Sequence, residues 1–219
     1  MARRLNSFST LLILVVIGIG ASITMAQEIR KDAAVRDRDG ALGAAPTLGC
    51  CKCLGGTNSL DVSTIPTNSW TVNGNAAVVV TNPHPAWNLV TGPAKWLSTL
   101  ATGGQGNVPA GTFDYKLNFV VPACTISQQV TLSGNYGGDD DVLGVFVDNL
   151  STSTTTSIAS CSGGWCFNTT NNANPRTFTT TLSPGSYVLR VKIKNDSNGP
   201  SGMFVNAKLA GACPRDPVK

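Results

Sequence analysis

From Thr112 to Phe119 the chain reads Thr-Phe-Asp-Tyr-Lys-Leu-Asn-Phe. Apolar side chains at 113, 115, 117 and 119 alternate with polar ones. That period buries one face of an extended strand and leaves the other in water. It returns at Tyr187, Leu189, Val191 and Ile193, with Arg190, Lys192 and Lys194 opposite, and again at Met203, Val205, Ala207 and Leu209. Val142 to Val147 is apolar on both faces and predicts a central strand. Shorter strands are expected at Leu60–Ile65, Ala76–Thr81, Gln128–Ser133, Thr152–Ile158 and Thr177–Leu182. Turn residues separate these runs: Pro83, Pro85, Gly92 and Pro93; Gly103, Gly104, Gly106, Pro109 and Gly111; Pro184-Gly185; and Asn198-Gly199-Pro200. No later window repeats at 3.6 residues. Many short strands at this spacing mean an all-β sandwich or barrel.

The ends of the chain read differently. Arg3 and Arg4 precede the apolar run Leu11–Ala21, and Thr24-Met25-Ala26 offers small residues before Gln27. Residues 1–26 are therefore expected to be a secretory signal peptide. The run is shorter than the roughly 20 residues needed to span a bilayer, so no membrane span is expected once the signal is cleaved. Residues 27–49 mix acidic and basic side chains with Gly and Ala and hold no aromatic residue, which predicts a disordered linker. The folded domain is expected over 50–219. The protein is expected to be secreted, whether to a periplasm, the medium or a cell surface.

Seven cysteines follow the signal, and in an oxidising compartment they are expected to pair. Cys161 and Cys166 flank a flexible Ser-Gly-Gly-Trp loop and can close locally. Cys213 lies near the end of the chain and Cys50, Cys51 and Cys53 near the start of the domain, so a bridge between the ends is expected, with Cys124 taking a second member of the cluster. Seven is odd, and spacing alone leaves the connectivity and the unpaired cysteine open. The cluster lacks the paired spacing and the histidines of a zinc site.

Charge excludes more than it proposes. Charged residues are 13% of the chain, while Ser, Thr and Asn number 60, so the wet faces must be built from neutral polar groups. The net charge of +4, halved by removing Arg3 and Arg4, is no nucleic-acid footprint. Glu28 is the single glutamate and His84 the single histidine. Glycosidases usually need two carboxyls, for which only Asp residues remain after Glu28, and a serine hydrolase would have to use His84, with no elbow motif near any Ser. The protein is expected not to be an enzyme.

Three segments, in order, carry a resemblance. Pro109-Ala110-Gly111-Thr112-Phe113-Asp114-Tyr115 leads to Val121-Pro122. Val130 to Gly134 leads to Asp140-Asp141 and then Val145-Phe146-Val147-Asp148-Asn149. Leu182-Ser183-Pro184-Gly185-Ser186-Tyr187 leads through Arg190-Val191 to Asn195 and Gly202-Met203-Phe204. Together they resemble the galactose-binding-like jelly-roll domain of secreted bacterial proteins, over roughly Trp70 to Leu209. Asp148-Asn149 departs from the Asn-Gly turn usual there, and the cysteines are not part of that pattern. The resemblance implies an antiparallel jelly-roll β-sandwich, here with disulfides. It implies one of several roles: carbohydrate binding, adhesion or scaffolding.

The candidate sites follow. Trp87, Trp165 and Tyr136 are aromatic groups suited to stacking on a sugar ring, with Asn135 supplying an amide. Trp87 and Trp165, in Pro- and Gly-rich loops, are expected to be exposed, and Trp96 to be core. Asp139, Asp140 and Asp141 are the densest charge in the chain. They suggest a structural calcium site, completed by backbone carbonyls and Asp148, although the spacing is not that of an EF-hand. No other cofactor is implied. The expected partner is an extracellular glycan. The competing reading is a structural or adhesive surface protein that binds another protein or a copy of itself. Two exposed aromatics beside amides in one concavity would mark the first, and an exposed strand edge or flat apolar patch the second.

Overall fold

The computed structural model describes residues 45–49, 57–87, 93–124, 129–163, 166–167 and 176–212. All belong to the compact unit Leu42–Lys219. Among the described residues twelve strands follow one another: β1 (Thr57–Asp61), β2 (Trp70–Val72), β3 (Asn75–Ala76), β4 (Val78–Val79), β5 (Leu97–Ser98), β6 (Gly111–Val121), β7 (Gln129–Asp139), β8 (Asp141–Asn149), β9 (Thr154–Cys161), β10 (Thr177–Leu182), β11 (Gly185–Asn195) and β12 (Gly202–Ala212). They form two antiparallel sheets packed as a sandwich. The first runs β3-β2-β6-β11-β8-β9. The second runs β10-β7-β12-β5-β4, with β1 paired to β12. Helical structure among the described residues is confined to single 3₁₀ turns.

The period-two runs become the long inner strands. β11 pairs with β6 along its whole length, from Gly185 opposite Val121 to Asn195 opposite Gly111, and with β8 on its other side. Tyr115, Leu117, Leu189, Val191 and Ile193 turn inward from this sheet to meet Leu132, Met203, Val205 and Leu209 from the other. Val142–Val147 falls within β8, an interior strand as expected, yet its second face is not core. Leu143 is exposed, and Phe146 lies under the Arg190 guanidinium, 4.3 Å from the ring centroid. Arg190 also donates from Nε and from its terminal nitrogen to the two carboxylate oxygens of Asp148, at 2.7 and 3.0 Å. The Arg190 hydrogen bonds hold the Asp148 carboxyl below its usual range.

Short segments depart from the expected bounds where turns intervene. The strand expected at Leu60–Ile65 ends at Asp61, whose carboxylate accepts from the Ser63 backbone N–H and caps a 3₁₀ turn, Val62–Thr64. The run Ala76–Thr81 is divided between the two sheets as β3 and β4. Folded structure also reaches back into residues expected to be linker. Leu48 is only 1% exposed, its N–H donates to Val120, and Val120 N–H donates to Pro46. The signal expected over 1–26 lies outside the described residues. Among those described, no helix is long and apolar enough to cross a membrane.

Two covalent and polar ties hold the loops. The Cys161–Cys166 disulfide forms as the spacing predicts. Cys124 is disulfide-bonded too, and Cys50, Cys51, Cys53 and Cys213 lie outside the described residues. Asn195, 2% exposed at the end of β11, donates from Nδ2 to the carbonyls of Val108 and Pro109, at 3.1 and 3.0 Å. A buried carbonyl that loses its donor costs about 1–3 kcal/mol. Asn195→Asp, which turns acceptors on both carbonyls, should therefore lower unfolding stability in urea by more than about 2 kcal/mol. An unchanged midpoint would show that this clamp carries no weight.

Candidate functional site

The chain passes from the second sheet to the first at Asp139-Asp140-Asp141. Asp139 ends β7, Asp141 begins β8, and Asp140 spans the step. Across this step Asp139 and Asp140 remain side-chain neighbours, while each carboxylate takes up a partner of its own. Asp139 is buried, and its Oδ2 accepts the indole N–H of Trp87 at 2.8 Å. Asp140 Oδ2 accepts the backbone N–H of Asp196. Asp148, expected to complete a calcium shell, is committed to Arg190 and to Thr155, whose hydroxyl donates at 2.7 Å. Among the described residues no three carboxylate, imidazole or thiol side chains converge on one point.

Trp87 is corrected. Its ring is 5% exposed, stacked on Trp96 with centroids 4.2 Å apart, and Trp96 meets the edge of Phe204. These rings and Val80 make a second small core, to which Phe167 adds. Its floor is Gly202, where a Cβ would lie 3.2 Å from the Trp87 ring. The proline-rich frame of the loop suggested exposure, but two remote partners, Asp139 and Gly202, draw the ring in. Trp96 is core, as expected. Tyr136 is 3% exposed and turns inward on β7, where its hydroxyl donates to the carbonyl of Ser160 at 2.8 Å, so it is not a ligand platform. Trp165 lies outside the described residues. Every described Trp and Tyr is buried, so the pair of exposed aromatics expected of a stacking site is not found among them.

Asn135 stands differently. On β7, Val130, Leu132 and Tyr136 face the core, so Ser133 and Asn135 face outward. Register places Asn135 between Thr177 of β10 and Asn206 of β12, and Ser133 between Thr179 and Lys208. An open hollow of about 610 Å³ lies here, lined by Ser133, Asn135, Thr177, Thr179, Asn206 and Ile158, with Gly134 and Phe178 in its floor. Gly134 allows β7 and β12 to close beneath it, since a Cβ would fall 2.4 Å from the Asn206 carbonyl oxygen. The lining offers hydroxyls and amides and no ionised group. Asn135 Oδ1 is buried and has no hydrogen-bond partner. The sequence named Asn135 but missed Ser133, Thr177, Thr179 and Asn206. Their one signal was polar alternation along predicted strands, which does not reveal which strands are neighbours.

No family model and no curated protein matches the chain. Solved structures do. One is the native structure of a family 35 carbohydrate-binding module from Clostridium thermocellum, at 12% identity and a TM-score of 0.33, covering 69% of this chain and 96% of the module. Another is a family 32 carbohydrate-binding module from C. perfringens NanJ in complex with galactose, at 13% identity and a TM-score of 0.27, covering 69% and 98%. A third is a Paenibacillus cycloisomaltooligosaccharide glucanotransferase complexed with cycloisomaltoheptaose, at 14% identity and a TM-score of 0.30. It is matched over 75% of this chain but 19% of the enzyme. Each is a structure that this chain is similar to.

Asp139 generates a measurable consequence. Burial, reinforced by the adjacent Asp140, raises its carboxyl from 3.8 to about 8 against the lowering effect of the Trp87 N–H. Between those values the folded chain holds a proton that the unfolded chain has lost. Stability from this group is therefore full below about pH 4, falls as pH rises towards 8, and is level above. Asn at this position cannot ionise, and its carbonyl oxygen can still accept the Trp87 N–H. Urea midpoints measured from about pH 4.5 to 8.5 should fall less steeply for Asp139→Asn than for the parent chain. Parallel curves would contradict the assignment.

Proposed function

We propose that this domain is an exported, non-catalytic module that binds extracellular carbohydrate in the hollow around Asn135. The observation that carries this reading is Asn135 Oδ1, a buried acceptor with no hydrogen-bond partner in the protein, on a residue that lines the hollow. A buried acceptor without a donor is costly, and a ligand hydroxyl is the group that relieves it. The surrounding Ser133, Thr177, Thr179 and Asn206 offer donors and acceptors that suit the other hydroxyls of a polyol. The volume falls in the range of small-molecule sites, about 300–1,000 Å³. Contact here is through hydrogen bonds, which predicts modest affinity and strong dependence on hydroxyl stereochemistry. Export is supported by the Cys161–Cys166 disulfide, which persists in oxidising compartments.

The test separates binding from folding. A glycan array should retain a neutral oligosaccharide, and calorimetry with that sugar should give a Kd raised at least tenfold by Asn135→Ala. Because Oδ1 makes no internal bond, the same variant should unfold at an unchanged or higher temperature. A blank array, or unaltered affinity in Asn135→Ala, would overturn the reading.

A further inference from the structure

The first sheet ends at β9, and no described strand pairs with its outer edge. β9 has eight residues, more than β1, β3, β4 or β10, which also pair on one side only. Unpaired edges are ordinarily protected by lysine, proline, a bulge or a covering segment. From Asn149 to Asn174 the chain has no charged residue and no proline. Residues 151–157 are all exposed. The bulges between β8 and β9 fall at Val142–Phe146, which leaves Thr154–Ser157 in unbroken register with Asn149–Phe146. Thr156 shares a row with Val147, which is buried, yet Thr156 itself is exposed, so the opposite sheet stops short of it.

We propose that this edge pairs antiparallel with the same edge of a second copy of the chain, joining two first sheets about a twofold axis. A twofold contact sets each residue against another from the same short segment, so any charge there would meet its like. This segment has none. Thr154, Thr155 and Thr156 are β-branched and hydroxyl-bearing, and threonine facing threonine is a favourable cross-strand pair. The neighbouring Asp148 cannot repel its counterpart at full strength, because Arg190 already pairs with it. An arriving acidic or basic strand would find no complementary charge on β9, which favours a second copy as the occupant. The open register is short, so the dimer is reversible and dissociates on dilution. Two hollows carried on one dimer would engage a repeating polymer with greater avidity than one.

Sedimentation of the purified chain over a hundredfold dilution series tests this. The average mass should rise from monomer towards dimer with concentration, and non-reducing gels should show no covalent dimer to account for it. Thr156→Lys, and separately Ser157→Lys, should raise the dimer dissociation constant at least tenfold with unchanged melting temperature. Thr156→Val should still dimerise. A parent chain that stays monomeric throughout, or lysine variants that dimerise like the parent, would overturn the proposal.

Discussion

Everything in this fold depends on the apolar seam between the two sheets. Leu189, Val191 and Ile193 of β11, Leu132 of β7, and Met203 and Leu209 of β12 are fully withdrawn from water. Each such side chain contributes about 1.5–3 kcal/mol by burial. Because the strand period is two, committing one set of residues to this seam sends the alternate set to the outer faces. The outer chemistry is thus a consequence of the inner packing. On the first sheet it places Arg190, Asp148 and Phe146 together. On the second it lines up Thr177, Asn135 and Asn206 across three strands.

The crossing at Asp139–Asp141 links the two sheets and makes the indole of Trp87 part of the structure. The buried carboxyl, the stacked Trp87 and Trp96 and the edge of Phe204 fasten the long loop between β4 and β5 to the outside of the second sheet. Ser201 extends the tie, donating from its hydroxyl to the Asp139 carbonyl, while Ser98 donates to the Ser201 carbonyl. Trp87, which looked available for a ligand, is used to hold this loop. What is left on the same sheet is a neutral hollow whose chemistry is that of amides and hydroxyls.

The architecture was legible from alternation. Tyr187 to Ile193 and Met203 to Leu209 announced their buried faces, and the Cys161–Cys166 bridge could be read from its short loop. Asn195 stood in the motif pattern, and its role as a clamp on Val108 and Pro109 required the fold. The site was less legible because it depends on strand order. Nothing near Thr177 indicates that it lies beside Asn135, and nothing near Trp87 indicates that Asp139 waits for its N–H. Consecutive aspartates suggested a shared ion, whereas Asp139 is buried against the Trp87 N–H and Asp140 accepts from the Asp196 backbone. Local composition reports exposure only where no distant residue intervenes.

The central claim is that the outer face of the second sheet is a recognition surface, with the Asn135 amide at its centre. Its most direct test is a nuclear magnetic resonance titration that follows side-chain amide signals as a neutral oligosaccharide is added. The account predicts that the Asn135 and Asn206 amides shift together, with the backbone signals of Ser133, Thr177 and Thr179, while the indole signal of Trp87 stays in place. Saturable shifts confined to some other face, with Asn135 unmoved, would contradict it.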